Sequence, residues 1–337
     1  MKAVTYDRTG PSSVLGLHEV PVLEPADGEV RVRIVVSGVN PTDWKARANT
    51  AQAVDSPRTP NQDGAGVVDA VSPGVAGLAV GDRVWVWDAA FERTQGTAQE
   101  LAILPANQVV PLPREASFDV GASLGIPALT AHRALTAHDG GPTRLAPGAL
   151  AGRVVLVTGG AGAVSHAAIQ LARWAGATVI STVSGEEKAE LARRAGAQHV
   201  INYRETDVAA EVLRIAEQGV DTIVDVNAVA NVATDLAVIR PGGTVAVYAS
   251  DSEEPLAIPL GVAMRKNVRF QFVLTYTVTP EQKRDAVSAV SAAVADGALP
   301  VGEQYGLPLT RFALADTAAA HDAVEAGTVG KVLIDVE

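Results

Sequence analysis

Hydrophobic and polar positions change rhythm along this 337-residue chain. In the first part, short apolar runs alternate with polar residues and are cut by Gly, Pro and Asp. Val30–Val36 (VRVRIVV) alternates with period two before the turn Gly38-Val39-Asn40-Pro41. Residues 64–71 and 81–87 repeat the pattern, and Met1–Tyr6 leads directly into a strand. Successive strand side chains face opposite sides, so this spacing predicts a β-rich, barrel-like domain over residues 1–125. Trp85 and Trp87 fall on one strand face, where packing is their expected role.

From residue 126 the pattern alternates between strands and helices. Strands are expected over 153–158, 177–182, 199–202, 221–226 and 244–249, with helices over 164–175, 186–194, 206–217 and 231–239. Gly196 closes the second helix, Pro241-Gly242-Gly243 forms a turn, and 138–152 reads as a loop. Such alternation implies βαβ units and a parallel sheet, making the chain α/β overall. A further strand over 268–278 carries alternating Phe270, Phe272, Leu274 and Tyr276 and is expected at a sheet edge. A helix over 280–296 and a strand over 331–336 complete the chain.

Composition narrows the classes of function. With 47% hydrophobic and 19% charged residues, the chain has the make-up of a globular protein with room for two cores. No apolar run reaches the roughly 18 residues that span a bilayer, and the N-terminus does not read as a signal peptide. A cytoplasmic protein is expected. The net charge of −11, without a basic cluster, argues against nucleic acid or an anionic membrane as partner. With no cysteine, disulfides, thiol nucleophiles and thiolate metal sites are excluded. The six histidines are scattered without metal-ligand spacing, so no metal site is expected.

The candidate chemistry begins at Thr158-Gly159-Gly160-Ala161-Gly162-Ala163-Val164, between an apolar strand and a helix. Glycines there permit a tight turn and let the backbone approach a pyrophosphate, whose charge is met by helix N-terminal N–H groups. Gly160 is therefore a cofactor candidate. Ser165 stands where the motif usually has its last glycine, widening the helix–strand contact slightly. His166 reads as a neutral packing or surface residue. An acidic residue ending the second strand would bind a ribose 2′-hydroxyl, but Ile180-Ser181-Thr182-Val183-Ser184 has none. Ser184, Lys188 and Tyr203 instead suit a 2′-phosphate, with Glu186 and Glu187 turned outward in the first helical turn. This pattern favours NADP(H) over NAD(H).

With these residues in view, the chain resembles the zinc-independent quinone oxidoreductases of zeta-crystallin type, in the medium-chain dehydrogenase/reductase superfamily. The resemblance runs through GVNPTDWKAR (38–47), TPNQDGAGVVDAVSPGVAGLAVGDRV (59–84), GTAQELAILPANQVVPLP (96–113), GASLGIPALTAHRAL (121–135), IRPGGTVAVYAS (239–250) and GTVGKVLIDV (327–336). It implies a GroES-like catalytic domain over 1–125 and 270–337 around a Rossmann domain over 126–269. It further implies Ala161, Gly162, Ala163 and Val164 at the pyrophosphate of NADPH. Tyr248, Ala249 and Ser250 would contact NADPH at the fifth strand and Phe272, Val273 and Leu274 near the nicotinamide, with Asn231 and Lys331 as further cofactor contacts. Asn40 and Thr130 would orient the nicotinamide or hydrogen-bond the acceptor. Trp44 and Lys45 occupy the region of one family tyrosine and Thr50 the place of another. The zinc-dependent branch has a cysteine and Gly-His-Glu where this chain reads Asn61-Gln62-Asp63.

The resemblance implies hydride transfer from NADPH to a small electrophilic acceptor. Without a Lewis acid, an electron-poor acceptor is needed, which means a quinone or, alternatively, a carbon–carbon double bond conjugated to a carbonyl. A third reading, an NADPH-binding structural or RNA-binding protein, fits the acidic balance poorly. The edge strand, by analogy with relatives, suggests a homodimer.

Overall fold

The computed structural model describes residues 1–48, 52–250, 252 and 254–336, and divides into two compact units. Unit 1 comprises residues 1–126 and 308–337, and unit 2 residues 127–307.

Unit 1 holds strands β1 (Lys2–Arg8), β2 (Gly16–Glu19), β3 (Glu29–Val39), β4 (Ala53–Arg58), β5 (Asp63–Val71), β6 (Arg83–Val86), β7 (Leu101–Pro105) and β8 (Val109–Pro111). Unit 2 contributes β9 (Val154–Thr158), β10 (Thr178–Val183), β11 (His199–Asn202), β12 (Val220–Asp225), β13 (Ile239–Val247) and β14 (Arg269–Phe272). The chain ends in unit 1 with β15 (Leu309–Ala313) and β16 (Lys331–Asp335). The helices are α1 (Pro41–Ala48), α2 (Phe118–Gly121), α3 (Gly125–Leu135), α4 (Ala163–Trp174), α5 (Glu186–Ala195), α6 (Val208–Ile215), α7 (Ala228–Val238), α8 (Leu260–Lys266), α9 (Pro280–Ala295) and α10 (Thr317–Glu325).

Unit 1 is built on β3. Its inward-facing Val30, Val32 and Ile34 are fully buried, while register shifts against β5 let one strand serve β5, β7 and β16 in turn. The main sheet runs β15-β16-β3-β5-β6-β8, with β7 paired to β3, and a smaller sheet runs β2-β1-β4. Val30, Val32, Ile34, Val68, Val84 and Leu104 form one apolar cluster. Val4, Val39, Leu314, Val332 and Ile334 form another. β16 therefore stitches the end of the chain into a sheet begun near its start.

Unit 2 is a six-stranded sheet in the order β11-β10-β9-β12-β13-β14, every pairing parallel. Counted from β9, this is the doubly wound order 3-2-1-4-5-6, whose reversal lies between β9 and β12. β14 is the edge strand, as expected. It is, however, shorter than the alternation over 268–278 suggests. β13 ends at Val247, the ladder closes with the Val273 N–H donating to the Val247 carbonyl, and Thr277 turns back onto Leu274. Thr279 and Gln282 then form a capping box that starts α9. The Pro241-Gly242-Gly243 turn becomes a bulge inside β13, where the register against β12 shifts.

The return to unit 1 lies at Pro308, not at 270. β14 completes the parallel sheet, and the segment after α9 is tied to α4. Trp174 Nε1 donates to Asp296 at 2.9 Å, Gln170 Nε2 to the Pro300 carbonyl at 3.0 Å, and His166 Nε2 to the Tyr305 carbonyl at 2.9 Å. No helix among the described residues is long and apolar enough to cross a membrane.

Asp221, 6% exposed at the start of β12, gathers the strand beginnings. Its carboxylate accepts from Arg153 Nη1 and the Val154 N–H, each at 2.8 Å, and lies 2.8 Å from Arg240 Nε of β13. Asp221→Ala leaves two half-buried guanidiniums and a backbone N–H without it. A loss of about 2–3 kcal/mol is expected, discounted for the guanidiniums' partial exposure. Urea unfolding measures it, and a loss under about 0.5 kcal/mol would refute the clamp.

Candidate active site

The dinucleotide turn is built where β9 ends. Gly159 has φ 67°, a left-handed conformation that suits glycine. A Cβ at Gly160 would sit 2.2 Å from Ser181 Oγ on β10, so the backbone passes too close for any side chain. The Gly162 N–H closes on the Gly159 carbonyl at 3.0 Å. Gly162 then caps α4 with no side chain of its own on the helix. The first N–H groups of α4 thus lack a side-chain cap, and Gly162 is exposed with Ala163 and Val164 half-buried beside it. Ala161 is buried against the turn. Such a terminus is suited to a pyrophosphate.

Ser165 and His166, which depart from the usual motif, both face inward. Ser165 is fully buried. Its hydroxyl donates to the Thr158 carbonyl at 2.8 Å and lies 3.0 Å from the Tyr248 hydroxyl. His166 is a packing residue, held by its bond to the Tyr305 carbonyl. Burial pushes its pKa down to about 4, so it is neutral.

The corner beyond β10 is set by the Tyr203 N–H, which donates to the Val183 carbonyl at 3.0 Å. Ser184 and Gly185 follow, with Gly185 as N-cap of α5. Tyr203 is 52% exposed, and Lys188 is half-buried with no ion pair to a described residue. Glu186 turns to Arg193 at 2.6 Å, so this acid is committed along its own helix. Ser184, Lys188 and Tyr203 thus all lie about the corner where β10 passes into α5.

On the other side of the switch point lies a cavity of about 540 Å³ in unit 2. Tyr248, Ala249, Ser250, Phe272, Val273 and Leu274 all line it, so six residues expected among the cofactor contacts come together. Phe272 and Leu274 are exposed and Val273 is buried. Thr130 lies in α3, 5% exposed, one turn before Arg133 of the cavity wall. Asn231 Nδ2 donates to Asp225 Oδ1 at 2.8 Å.

That Asp225 oxygen also accepts from Thr158 Oγ1 at 2.8 Å and the Asn227 N–H at 2.9 Å. Asp225 lies beside Asp235 of α7, and both are buried. Burial first, then the Asp225 charge, pushes the Asp235 carboxyl up to about 9. Asp235 therefore keeps its proton at neutral pH, close beneath the dinucleotide turn. Sequence reasoning missed it, although two aspartates ten positions apart in an apolar stretch were the available signal.

In unit 1, Asn40 belongs to a buried polar cluster. Its Oδ1 accepts from Lys331 Nζ at 2.6 Å, its Nδ2 donates to Asp63 Oδ2 at 2.8 Å, and its N–H donates to Asp43 at 2.7 Å. Lys331, expected among the cofactor contacts, is instead buried with 1% of its side chain exposed, 3.6 Å from Asp63. It holds Asn40 from behind, because its ammonium is committed inside the unit. Burial lowers its pKa, opposed by the Asp63 and Asp43 charges. Burial raises Asp63, opposed chiefly by Lys331. Burial and then the Asp63 charge push Asp43 up to about 7. Asp63 also accepts the Ile126 N–H, so the position read only as a missing zinc motif is a structural anchor. Lys45 lies over the half-buried Trp44 ring. Thr50 falls outside the described residues.

Comparison with known proteins agrees with this architecture. Residues 26–114 match the alcohol dehydrogenase GroES-like domain family, and residues 163–292 match the family described as zinc-binding dehydrogenase. The quinone oxidoreductase of Lama guanicoe is 32% identical over 340 residues, covering 99% of this chain and 97% of that protein. A solved NAD-dependent alcohol dehydrogenase is similar with TM-score 0.86 and 28% identity, covering 100% of both chains. The Escherichia coli quinone oxidoreductase solved with NADPH gives TM-score 0.80 and 25% identity, again over 100% of both.

The Asp225–Asp235 pair makes stability pH-dependent. Well below pH 3.8, the carboxyl's ordinary value, folded and unfolded chains both keep the Asp235 proton. As pH rises further, the unfolded state sheds it while the folded state retains it, so stability falls until the folded pKa of about 9 and then levels off. Asp235→Asn keeps a donor toward Asp225 and cannot ionise. It is expected to stabilise the protein by about 1 kcal/mol or more at pH 8, with a smaller gain at pH 5. Calorimetry at both pH values checks this, and an equal offset at both would refute it.

Proposed function

The chain belongs to the quinone oxidoreductases of the medium-chain dehydrogenase/reductase superfamily, and from that membership we propose how its own residues serve the reaction. It is an NADPH-dependent oxidoreductase. The observation that carries the cofactor assignment is the corner at Ser184, Lys188 and Tyr203. A half-buried lysine with no ion pair to a described residue stands there, and no carboxylate ends β10 to claim a ribose 2′-hydroxyl. The turn at Gly160, Ala161, Gly162, Ala163 and Val164 holds the pyrophosphate. Tyr248, Ala249, Ser250, Phe272, Val273 and Leu274 form the nicotinamide side, and Asn231 acts through Asp225.

When bound, the cofactor supplies the hydride. The protein's part is to orient it and keep water away from it. The acceptor is a quinone, whose two carbonyls already draw electrons and so need little polarisation by the protein. Hydride and one solvent proton together yield the hydroquinone. Asn40, fixed by Lys331 and Asp63, and Thr130 are the proposed orienting groups.

We assign the reaction to the zinc-independent branch because the donors do not suit the metal. Asp63 is already held by Asn40, the Ile126 N–H and Lys331, and there is no cysteine. The same reading makes the protein a cytoplasmic homodimer. Leu260 and Met264 of α8 and Phe272 of the edge strand β14 are all more than 60% exposed, and an uncovered apolar edge favours association.

Three measurements test this reading. NADPH oxidation in the presence of a simple quinone is expected to proceed undiminished after exhaustive chelation; no turnover with any quinone would overturn the assignment. Lys188→Ala is expected to raise the NADPH Kd about tenfold while leaving NADH within about twofold, and an equal effect on both would remove the phosphate from that corner. Light scattering is expected to return the mass of two chains.

A further inference from the structure

We infer that Ser165 and Tyr248 form a hydrogen-bonded strut across the cofactor site, positioning the Tyr248 ring against the dinucleotide turn. Ser165 takes the place of the motif's last glycine, so this contact exists only because of that departure. At 0% exposure the serine hydroxyl is shut off from bulk water, and a buried hydroxyl needs partners in the protein. It has one proton, which goes to the Thr158 carbonyl at 2.8 Å. The 3.0 Å contact with Tyr248 therefore runs from the tyrosine hydroxyl to the serine oxygen. The direction of the bond is fixed by counting protons.

The two ends of the strut serve different parts of one site. Ser165 lies in the first turn of α4, two residues past Ala163 and inside the turn that receives the pyrophosphate. Tyr248 directly follows β13, where its N–H donates to the Asp225 carbonyl at 3.1 Å and its ring forms part of the wall of the cavity. The hydrogen bond joins residues 83 positions apart and holds turn and cavity wall at a fixed separation. With glycine or alanine at 165, the tyrosine loses this tie to the turn. Both residues are positioning residues. The strut joins the turn and the cavity wall, whereas Ser184 and Lys188 lie at the corner beyond β10, so it acts on NADPH and NADH alike.

This inference rests on the reading of the turn and cavity as a dinucleotide site. It is tested by fluorescence titration of NADPH and NADH with the wild type, Ser165→Ala, Tyr248→Phe and the double variant, alongside thermal unfolding of each without cofactor. Each single variant is expected to raise both Kd values about 3- to 10-fold. The double variant should be no worse than the weaker-binding single, since both substitutions remove the same bond. Tyr248→Phe keeps the ring and removes one oxygen, so it provides a folded variant even where Ser165→Ala unfolds. Unchanged affinity in Tyr248→Phe, or multiplied losses in the double variant, would overturn the strut alone. A wild-type protein that binds neither dinucleotide would overturn the cofactor reading and the strut together.

Discussion

One carboxylate oxygen, Asp225 Oδ1, fixes the geometry on which the cofactor site depends. It accepts from Thr158 at the end of β9, from the Asn227 backbone after β12 and from Asn231 on α7. Parallel neighbours β9 and β12 are where the strand order reverses, and their helices leave on opposite faces of the sheet. The crevice so formed is open by construction and is not closed by strand pairing. A buried acceptor tying three segments gives it a fixed shape. The cost is a polar group away from water, and Asp235, held protonated by burial and by the Asp225 charge, adds no second charge beside it.

Unit 1 solves a related problem with a cation. Lys331, Asp63, Asp43 and Asn40 are all buried, and each alone would be expensive there. Together they satisfy one another: the ammonium meets the amide oxygen, the amide nitrogen meets Asp63, and the Asn40 backbone meets Asp43. Buried ion pairs add little net stability compared with apolar packing. Their geometric effect is clearer, because Asn40 is held at both ends of its side-chain amide. β16 brings Lys331 to this point by pairing Val332 with Val39, so the last strand supplies both sheet edge and anchor.

The alternation of strands and helices in unit 2 is legible in the sequence because periodicity reports burial directly. The dinucleotide turn is legible because backbone proximity demands glycine, as the Gly160–Ser181 contact shows. What escapes is what depends on distant partners. Lys331 lies 291 positions from Asn40, and no local pattern tells a buried lysine from one reaching for a phosphate. The alternation past Phe272 also promises more strand than exists, because a strand needs a neighbour and β13 has already ended. The later domain boundary has the same origin. Residues 270–307 contain no break in composition, and what ties them to unit 2 is the pairing of β14 with β13 and the bonds of α4 to Asp296, Pro300 and Tyr305.

Ser165 shows what the last glycine of such a turn contributes physically. That position must let α4 approach the sheet, and the helix does so here through Ser165, Ala168, Ile169 and Ala172, all fully buried. A serine is small enough for the close approach, provided its hydroxyl is satisfied at no cost to the main chain. The Thr158 carbonyl meets that condition, since it accepts the serine proton at the very end of β9. The requirement at this position is thus limited volume together with a local acceptor, which glycine meets trivially and serine meets by making a bond. The turn consequently keeps its shape without its usual residue and gains a connection to Tyr248 that a glycine could not provide.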